Sequence, residues 1–201
     1  EYGALQLLDE RFGGCRELSG FNVALFRALG IPCGIDRVVQ NPHRIGSHMW
    51  TFMVDTNGRK LPYLWNYYNI DREERMEEKY GKVYRDYFSV QTTNWAVSYP
   101  DEDIPGILKK PFLRDVSDEY FGRNVAVVPL YDSAGDGRLC YLAVFNNAGW
   151  SPVAVGTAAG FQGVFNNIDT AIVYLPVYHR EGKLTAAGDP FIYTKLSLIH
   201  I

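Results

Sequence analysis

The stretch that decides the fold is residues 13–32, which read GGCRELSGFNVALFRALGIP. Apolar side chains recur in it at helical spacing, which predicts a helix with one stripe facing a core. The stripe consists of Leu18, Phe21, Leu25, Ala28 and Leu29. Gly30 and Pro32 are typical of a helix end, because glycine accepts the left-handed cap and proline cannot continue the helix. Cys15 therefore stands in the first turn of the predicted helix.

This position makes Cys15 a candidate nucleophile. Unpaired N–H groups and the helix dipole favour an anion at a helix start, and the thiolate is the reactive form of cysteine. Gly13 and Gly14 are expected to let the backbone turn sharply and to leave the sulfur uncrowded. The alternative interpretation is structural, because most lone cysteines are small buried apolar side chains. A catalytic role requires a base nearby.

His48 is the candidate base. It opens the strand-like stretch HMWTFMV, at residues 48–54, which runs into a hairpin turn, DTNG, at residues 55–58. Histidine accepts a proton from a thiol and returns it to a leaving amine near neutral pH. His43 is the competing base, but it lies in a loop beside Pro42. A strand holds a side chain more rigidly, so we expect His48.

The hairpin also predicts which residues approach His48. Residues 59–66 read as the returning strand. A four-residue loop places His48 opposite Trp65, and a two-residue loop places it opposite Tyr67. Residues 64–66 therefore lie near His48 in either register.

Composition excludes several classes of function. The formal net charge is −3 and basic clusters are absent, so no nucleic-acid partner is expected. No run of 18 apolar residues exists, so no membrane span is predicted. The three cysteines lack the spacing of a metal site or of a disulfide framework, so we expect neither a metal nor a cofactor.

The 201-residue chain is predicted to form two domains joined by a linker. Residues 1–95 carry helix and strand signals, and proline-rich residues 96–111 read as the linker. Residues 112–195 hold short strand-like runs separated by turns, which predicts an antiparallel β-sandwich.

The two chain ends carry their own expectations. Residues 196–201, LSLIHI, match the translation of a transposon end used in sequencing libraries, so we expect an adapter artefact there and give His200 no role. The chain begins 14 residues before Cys15, and we expect it to be an N-terminally truncated fragment whose export signal is undetermined.

Three separated blocks resemble the transglutaminase-like core of the papain-like cysteine superfamily. They are GGCREL at residues 13–18, LFRALGIPCG at residues 25–34 and SHMW at residues 47–50. The resemblance covers roughly residues 5–90. It implies an α+β core in which an N-terminal helix packs on an antiparallel sheet, with Cys15 as nucleophile and His48 as base. The β-rich tail is also similar to multidomain bacterial proteins of the Bacteroides type, which implies export to the periplasm or cell surface.

One position departs from the family pattern. The family usually has an aspartate two residues after the proline of the second hairpin strand, and Leu64 stands there after Pro62. Asn66 lies two residues further on the same face and is our candidate for orienting His48. The alternatives are that Asn66 is only a strand-end turn residue, or that Asp71 reaches the ring.

Two further residues are candidates for contacting substrate. Gly14 precedes the nucleophile, and Trp50 lies two residues after the base. Trp50 is either a core aromatic or a wall of the active-site cleft.

Two functions remain open from the sequence. The first is thiol-dependent acyl transfer on peptide or isopeptide amides, as in a protease, an amidase or a cross-linking enzyme, with a protein or peptide as substrate. The second is a non-catalytic surface or carbohydrate-associated module with a degenerate site, which contacts glycans through aromatic side chains of the β domain.

Overall fold

The computed structural model describes residues 3–63, 79–133 and 138–194, and the backbone of residues 198–200. The chain divides into two compact units. Unit 1 comprises Glu1–Arg37 and His48–Glu78, and unit 2 comprises Val38–Ser47 and Lys79–Ile201. Helices combine with mostly antiparallel sheets, so the α+β class holds. The domain boundaries expected at residues 95 and 112 stay a prediction.

Unit 1 consists of two helices and a three-stranded part of a sheet in the order β3-β2-β1. The elements are α1 (Ala4–Glu10), α2 (Cys15–Ala28), β1 (Cys33–Val38), β2 (His48–Val54) and β3 (Lys60–Tyr63). The helix predicted from the glycine pair to Gly30 and the strand predicted at residues 48–54 are both confirmed.

The β2–β3 turn contains five residues, 55–59, and pairs Val54 with Lys60. The Asp55 carboxylate accepts hydrogen bonds from the main-chain N–H groups of Asn57, at 2.9 Å, and Arg59, at 2.8 Å. The bond from Arg59 is the main reason that the pKa of Asp55 is lowered. The resulting register lies between the two predicted ones. Residues 64–66, expected to approach His48, lie outside the described residues.

The face of α2 that packs on β2 differs from the predicted stripe. Leu25 is 42% exposed and Leu29 65% exposed, whereas Ser19 is only 3% exposed. The Ser19 hydroxyl donates to the Met49 carbonyl at 3.3 Å, and the Thr51 hydroxyl donates to the Ser19 carbonyl at 3.3 Å. These two hydrogen bonds favour the polar Ser19 face at the sheet, which apolar periodicity alone cannot predict.

Unit 2 begins with short elements around a paired β4 and β5. These elements are β4 (Tyr84–Asp86), α3 (Trp95–Ser98), a 3₁₀ turn (Gly106–Lys109), β5 (Leu113–Asp115) and α4 (Asp118–Phe121). Ile104 and Leu108 are buried in an apolar cluster with Tyr84 and Tyr141. Side chains from residues 96–111 therefore pack into the core of unit 2.

The rest of unit 2 is one eight-stranded antiparallel sheet in the order β13-β12-β10-β7-β8-β9-β6, with β11 paired to β10. Its strands are β6 (Val125–Pro129), β7 (Leu139–Asn146), β8 (Gly149–Ala159), β9 (Gln162–Asn166), β10 (Val173–Arg180), β11 (Lys183–Ala186), β12 (Phe191–Tyr193) and β13 (Leu198–His200). The Tyr131 N–H donates to the Ala187 carbonyl at 2.7 Å, so the chain after β6 reaches the β10–β11 side. The sheet is a near-barrel, and the prediction of a β-sandwich is wrong.

Local irregularities explain why one sheet curls in place of two sheets stacking. The β7–β8 register shifts between Leu142 and Ala143, and such a bulge bends and twists a strand. A Cβ at Gly156 would lie 2.5 Å from the Phe165 ring, and one at Gly163 would lie 2.9 Å from it. Gly156 on β8 and Gly163 on β9 thus leave the space that the Phe165 ring fills, which turn signals in the sequence do not reveal.

Lys82 is the notable buried charge of unit 2. Its side chain is 2% exposed and forms an ion pair with Asp115. Its Nζ donates to the carbonyl of Asn166 at 2.8 Å and to that of Asn167 at 3.2 Å. Burial lowers the pKa of Lys82, and the Asp115 carboxylate opposes that effect. The ammonium group therefore joins β5 to the end of β9.

Candidate functional site

Cys15 is the first residue of α2, as the sequence predicts, and its side chain is half-buried. Among the described residues its thiol has no hydrogen-bond partner. Gly14, the residue before the helix, is extended at φ −83° and ψ −174°, a conformation open to any residue. Gly13 is required for another reason, because a Cβ there would lie 2.7 Å from Leu7 Cδ1 and 2.9 Å from Glu17 Cβ. The glycine pair thus serves close packing more than a sharp turn.

Glu17 shares the start of α2 with Cys15. Its carboxylate accepts a hydrogen bond from the Gly14 N–H at 3.0 Å. A carboxylate in this position satisfies an otherwise unpaired N–H group and complements the helix dipole. A thiolate at Cys15 would therefore compete with an anion that is already in place.

The start of α2 and the start of β2 lie at the same end of unit 1. At the other end, the Cys33 thiol donates to the Val23 carbonyl at 3.7 Å, and the Val54 N–H donates to the Pro32 carbonyl at 2.8 Å. Ser19 lies about one helical turn before Val23 and contacts the middle of β2. Cys15 lies one further turn toward the start of the helix, in the direction in which β2 leads back to His48.

The two side chains nevertheless lie on different faces of the sheet. The His48 and Trp50 rings share one face, with centroids 5.8 Å apart. Side chains alternate along a strand, and Thr51, which bonds to Ser19, lies on the face that α2 covers. Within the described residues no hydrogen bond joins Cys15 to His48. The structure therefore brings the ends of their elements together without pairing the two groups.

The remaining predicted site residues have mixed outcomes. Gly14 is exposed next to Cys15. Trp50 is 3% exposed, as expected of a core aromatic. Asn66, together with Leu64 and Asp71, lies outside the described residues, so its role stays a prediction.

A surface groove of about 480 Å³ runs along α2, and Cys15 is not among its lining residues. Arg16 and Glu17 line it from the helix, and Ile35, Arg37 and Met49 line it from β1 and β2. It lies on the α2 side of the sheet and has the mixed polar and apolar character that suits a peptide. The sequence did not predict this groove, because its residues are distant along the chain.

The other two cysteines differ from Cys15. Cys33 is half-buried and donates its S–H to Val23. Cys140 is fully buried, and burial raises the pKa of its thiol to about 12. Of the three thiols, only that of Cys15 stands at a helix start.

One buried acid was missed by sequence reasoning. Asp36 is 0% exposed and lies inside β1. A polar residue at an inward position of an alternating strand was the signal that could have revealed it. Among the described residues, no three acidic, histidine or cysteine side chains are arranged to hold a metal ion.

Comparison of the chain with family models, with curated proteins and with solved structures gives no match. Within the part of the chain that the structure describes, every helix is too short or too polar to cross a membrane.

Proposed function

We propose that the protein carries out thiol-dependent acyl transfer on peptide or isopeptide amides, with Cys15 as the nucleophile. The observation that carries the proposal is the place of Cys15, a half-buried thiol at the first position of α2 to which no described residue forms a hydrogen bond. A groove of about 480 Å³ along the same helix offers room for a protein or peptide substrate. The resemblance of three sequence blocks to the transglutaminase-like core adds support.

The reaction proceeds in two steps. The Cys15 thiolate attacks the amide carbonyl carbon, a C–S bond forms, and the C–N bond breaks after His48 gives its proton to the leaving amine. Water or a second amine then attacks the thioester, and the thiol is released. The Cys15 N–H is our candidate for stabilising the oxyanion.

His48 reaches Cys15 around the end of β2 in this proposal. It is the first residue of the strand and is half-buried. Asn66, which lies outside the described residues, stays our candidate for orienting the ring.

Acylation of individual cysteines tests the proposal. The protein is incubated with an activated acyl ester, p-nitrophenyl acetate, and the acylated residue is located by mass spectrometry. We expect a thioester on Cys15, its loss in Cys15→Ala and its persistence in Cys33→Ala. Equal acylation of Cys15 and Cys33, or no acylation, would contradict the proposed function.

The placement of His48 and Cys15 on different faces of the sheet favours a second candidate, a non-catalytic module. In that case the β domain supplies the binding surface. Phe145 is exposed and packs edge-to-face with Trp150, with centroids 5.3 Å apart. Exposed aromatic faces of this kind stack on sugars. An NMR titration with oligosaccharides that perturbs Phe145 and Trp150, in a protein whose Cys15 is inert, would select this function.

A further inference from the structure

Unit 2 contains a small cavity of about 160 Å³ where the β10–β11 turn meets the segment before the 3₁₀ turn. Charged side chains of both signs line it, among them Glu102, Arg138, His179, Arg180 and Glu181. An engineered cavity of about 150 Å³ in another protein binds benzene. The cavity of unit 2 therefore has room for a ligand of about six non-hydrogen atoms.

The His179 ring is held in one orientation at this cavity. Its Nδ1 lies 2.7 Å from the Asp103 carbonyl oxygen and 3.2 Å from the Asp103 carboxylate. A carbonyl oxygen only accepts hydrogen bonds, so Nδ1 carries a proton and donates it. Nε2 of the neutral ring is then an acceptor, and among the described residues it has no hydrogen-bond partner. The side chain is only 11% exposed, so this acceptor has little access to water.

Asp103 serves to hold the walls of the cavity together. Its carboxylate accepts a hydrogen bond from the Gly182 N–H at 2.8 Å, and its carbonyl accepts one from the Tyr141 hydroxyl at 3.4 Å. With the bond from His179, these contacts fix the segment around Asp103 to β7 and to the β10–β11 turn. The cavity is therefore formed before any ligand arrives.

The other charged groups at the cavity are not paired with one another. Within the described part of the chain, Glu102, Arg138 and Glu181 take part in no ion pair. The Arg180 guanidinium lies over the Tyr178 ring, 5.1 Å from its centroid, and has no carboxylate partner there either. Both signs of charge are thus left available to a ligand in one small space.

From this arrangement we propose that the cavity binds a small free α-amino acid in its zwitterionic form. The ammonium group of the ligand donates a hydrogen bond to His179 Nε2 and faces the carboxylates of Glu102 and Glu181. Its carboxylate pairs with Arg138, since a guanidinium binds a carboxylate through two parallel hydrogen bonds. A simple anion would meet the two carboxylates, and a simple cation would meet the two guanidinium groups. Alanine has as many non-hydrogen atoms as benzene and fits the size of the cavity.

An NMR titration of the full chain with L-alanine tests the proposal. The ring signals of His179 are assigned by their loss in His179→Gln. We expect a saturable change in the His179 signals and none in those of His43, which does not line the cavity. The absence of a saturable change at His179 would overturn the proposal.

Two analogues of alanine, each lacking one charge, test the zwitterion. N-acetylalanine keeps the carboxylate, and alaninamide keeps the ammonium group. We expect each to bind about tenfold or more weakly than L-alanine, because each loses hydrogen bonds made by a charged group. Equal binding of either analogue would show a site for a simple anion or a simple cation and would overturn the proposal.

Arg138→Gln tests the assignment of the carboxylate, with Arg114→Gln as its matched control. Both arginines are exposed, and Arg114 does not line the cavity. We expect L-alanine to bind about tenfold or more weakly in Arg138→Gln and unchanged in Arg114→Gln. Equal affinities in the two variants would contradict the assignment. The readout does not involve Cys15, so this proposal and the proposed acyl transfer stand or fall separately.

Discussion

The Gly14 N–H donates a hydrogen bond to the Glu17 carboxylate at 3.0 Å, so an anion already occupies the N-terminus of α2 beside Cys15. The bond satisfies an N–H group that the helix leaves unpaired. Its charge also offsets the part of the helix dipole that would stabilise a thiolate. Glu17 therefore stabilises the start of the helix, and its negative charge disfavours a second anion at Cys15.

Glu17→Gln separates these two effects, because a glutamine oxygen still accepts the hydrogen bond but carries no charge. A terminal charge of this kind contributes about 0.3–1 kcal/mol, so we expect alkylation of Cys15 at about pH 6 to become roughly two- to fivefold faster. Labelling by iodoacetamide with mass mapping measures the rate, and the exposed Glu10→Gln is the control. A slower or unchanged rate in Glu17→Gln would show that its charge does not act on the thiol.

Lys82→Met should strongly destabilise unit 2. The change removes the partner of Asp115 and leaves the carbonyls of Asn166 and Asn167 without their donor. Breaking a buried ion pair from one side costs about 3 kcal/mol or more in the free energy of unfolding. Urea unfolding measures this loss.

Arg123→Met is the matched control for Lys82→Met. Arg123 pairs with Asp118 at 3.7 Å, and its side chain is 90% exposed. Its loss should cost less than about 1 kcal/mol, because water replaces the partner of an exposed ion pair. Equal losses in the two variants would refute the structural role assigned to Lys82.

Unit 2 should lose stability as pH rises above about 9. Burial raises the pKa of Cys140 to about 12 and raises the pKa values of Tyr84, Tyr141 and Tyr174. In the unfolded chain these groups lose protons near their ordinary values, about 8.5 for cysteine and about 10 for tyrosine. The unfolded state then binds fewer protons than the native state, so stability falls with rising pH.

One group acts in the opposite direction. The lowered pKa of Lys82 makes the unfolded state bind more protons below about pH 10.4, which raises stability with pH. Four groups outweigh one, so we expect a net fall in the free energy of unfolding between about pH 9 and pH 10.5. Urea titrations across that window test it, and Cys140→Ala should flatten the first part of the curve. A flat or rising wild-type curve would count against the burial of these groups.

The sequence predicted the local elements of unit 1 well, because their signals are local. Cys15 at a helix start and His48 at a strand start follow from glycine, proline and turn chemistry within a few residues. The stripe of Leu25 and Leu29 was predicted to face the core, but both side chains are exposed. The helix turns its Ser19 face to the sheet because Ser19 bonds to β2, 30 residues away in the chain.

The near-barrel could not be predicted from the same signals. Short strands with turns between them suit a sandwich and a barrel equally, and the choice depends on the register shift after Leu142 and on the space at Gly156.

The rate of Cys15 alkylation tests the central claim most directly. Iodoacetamide labelling of wild type and His48→Ala is followed by mass mapping at several pH values around about pH 6, where an ordinary thiol is almost fully protonated. We predict that Cys15 reacts before Cys33 and Cys140, and that His48→Ala slows Cys15 while leaving Cys33 unchanged. Equal labelling of Cys15 and Cys33, or no effect of His48→Ala on Cys15, would contradict the assignment of a Cys15–His48 pair.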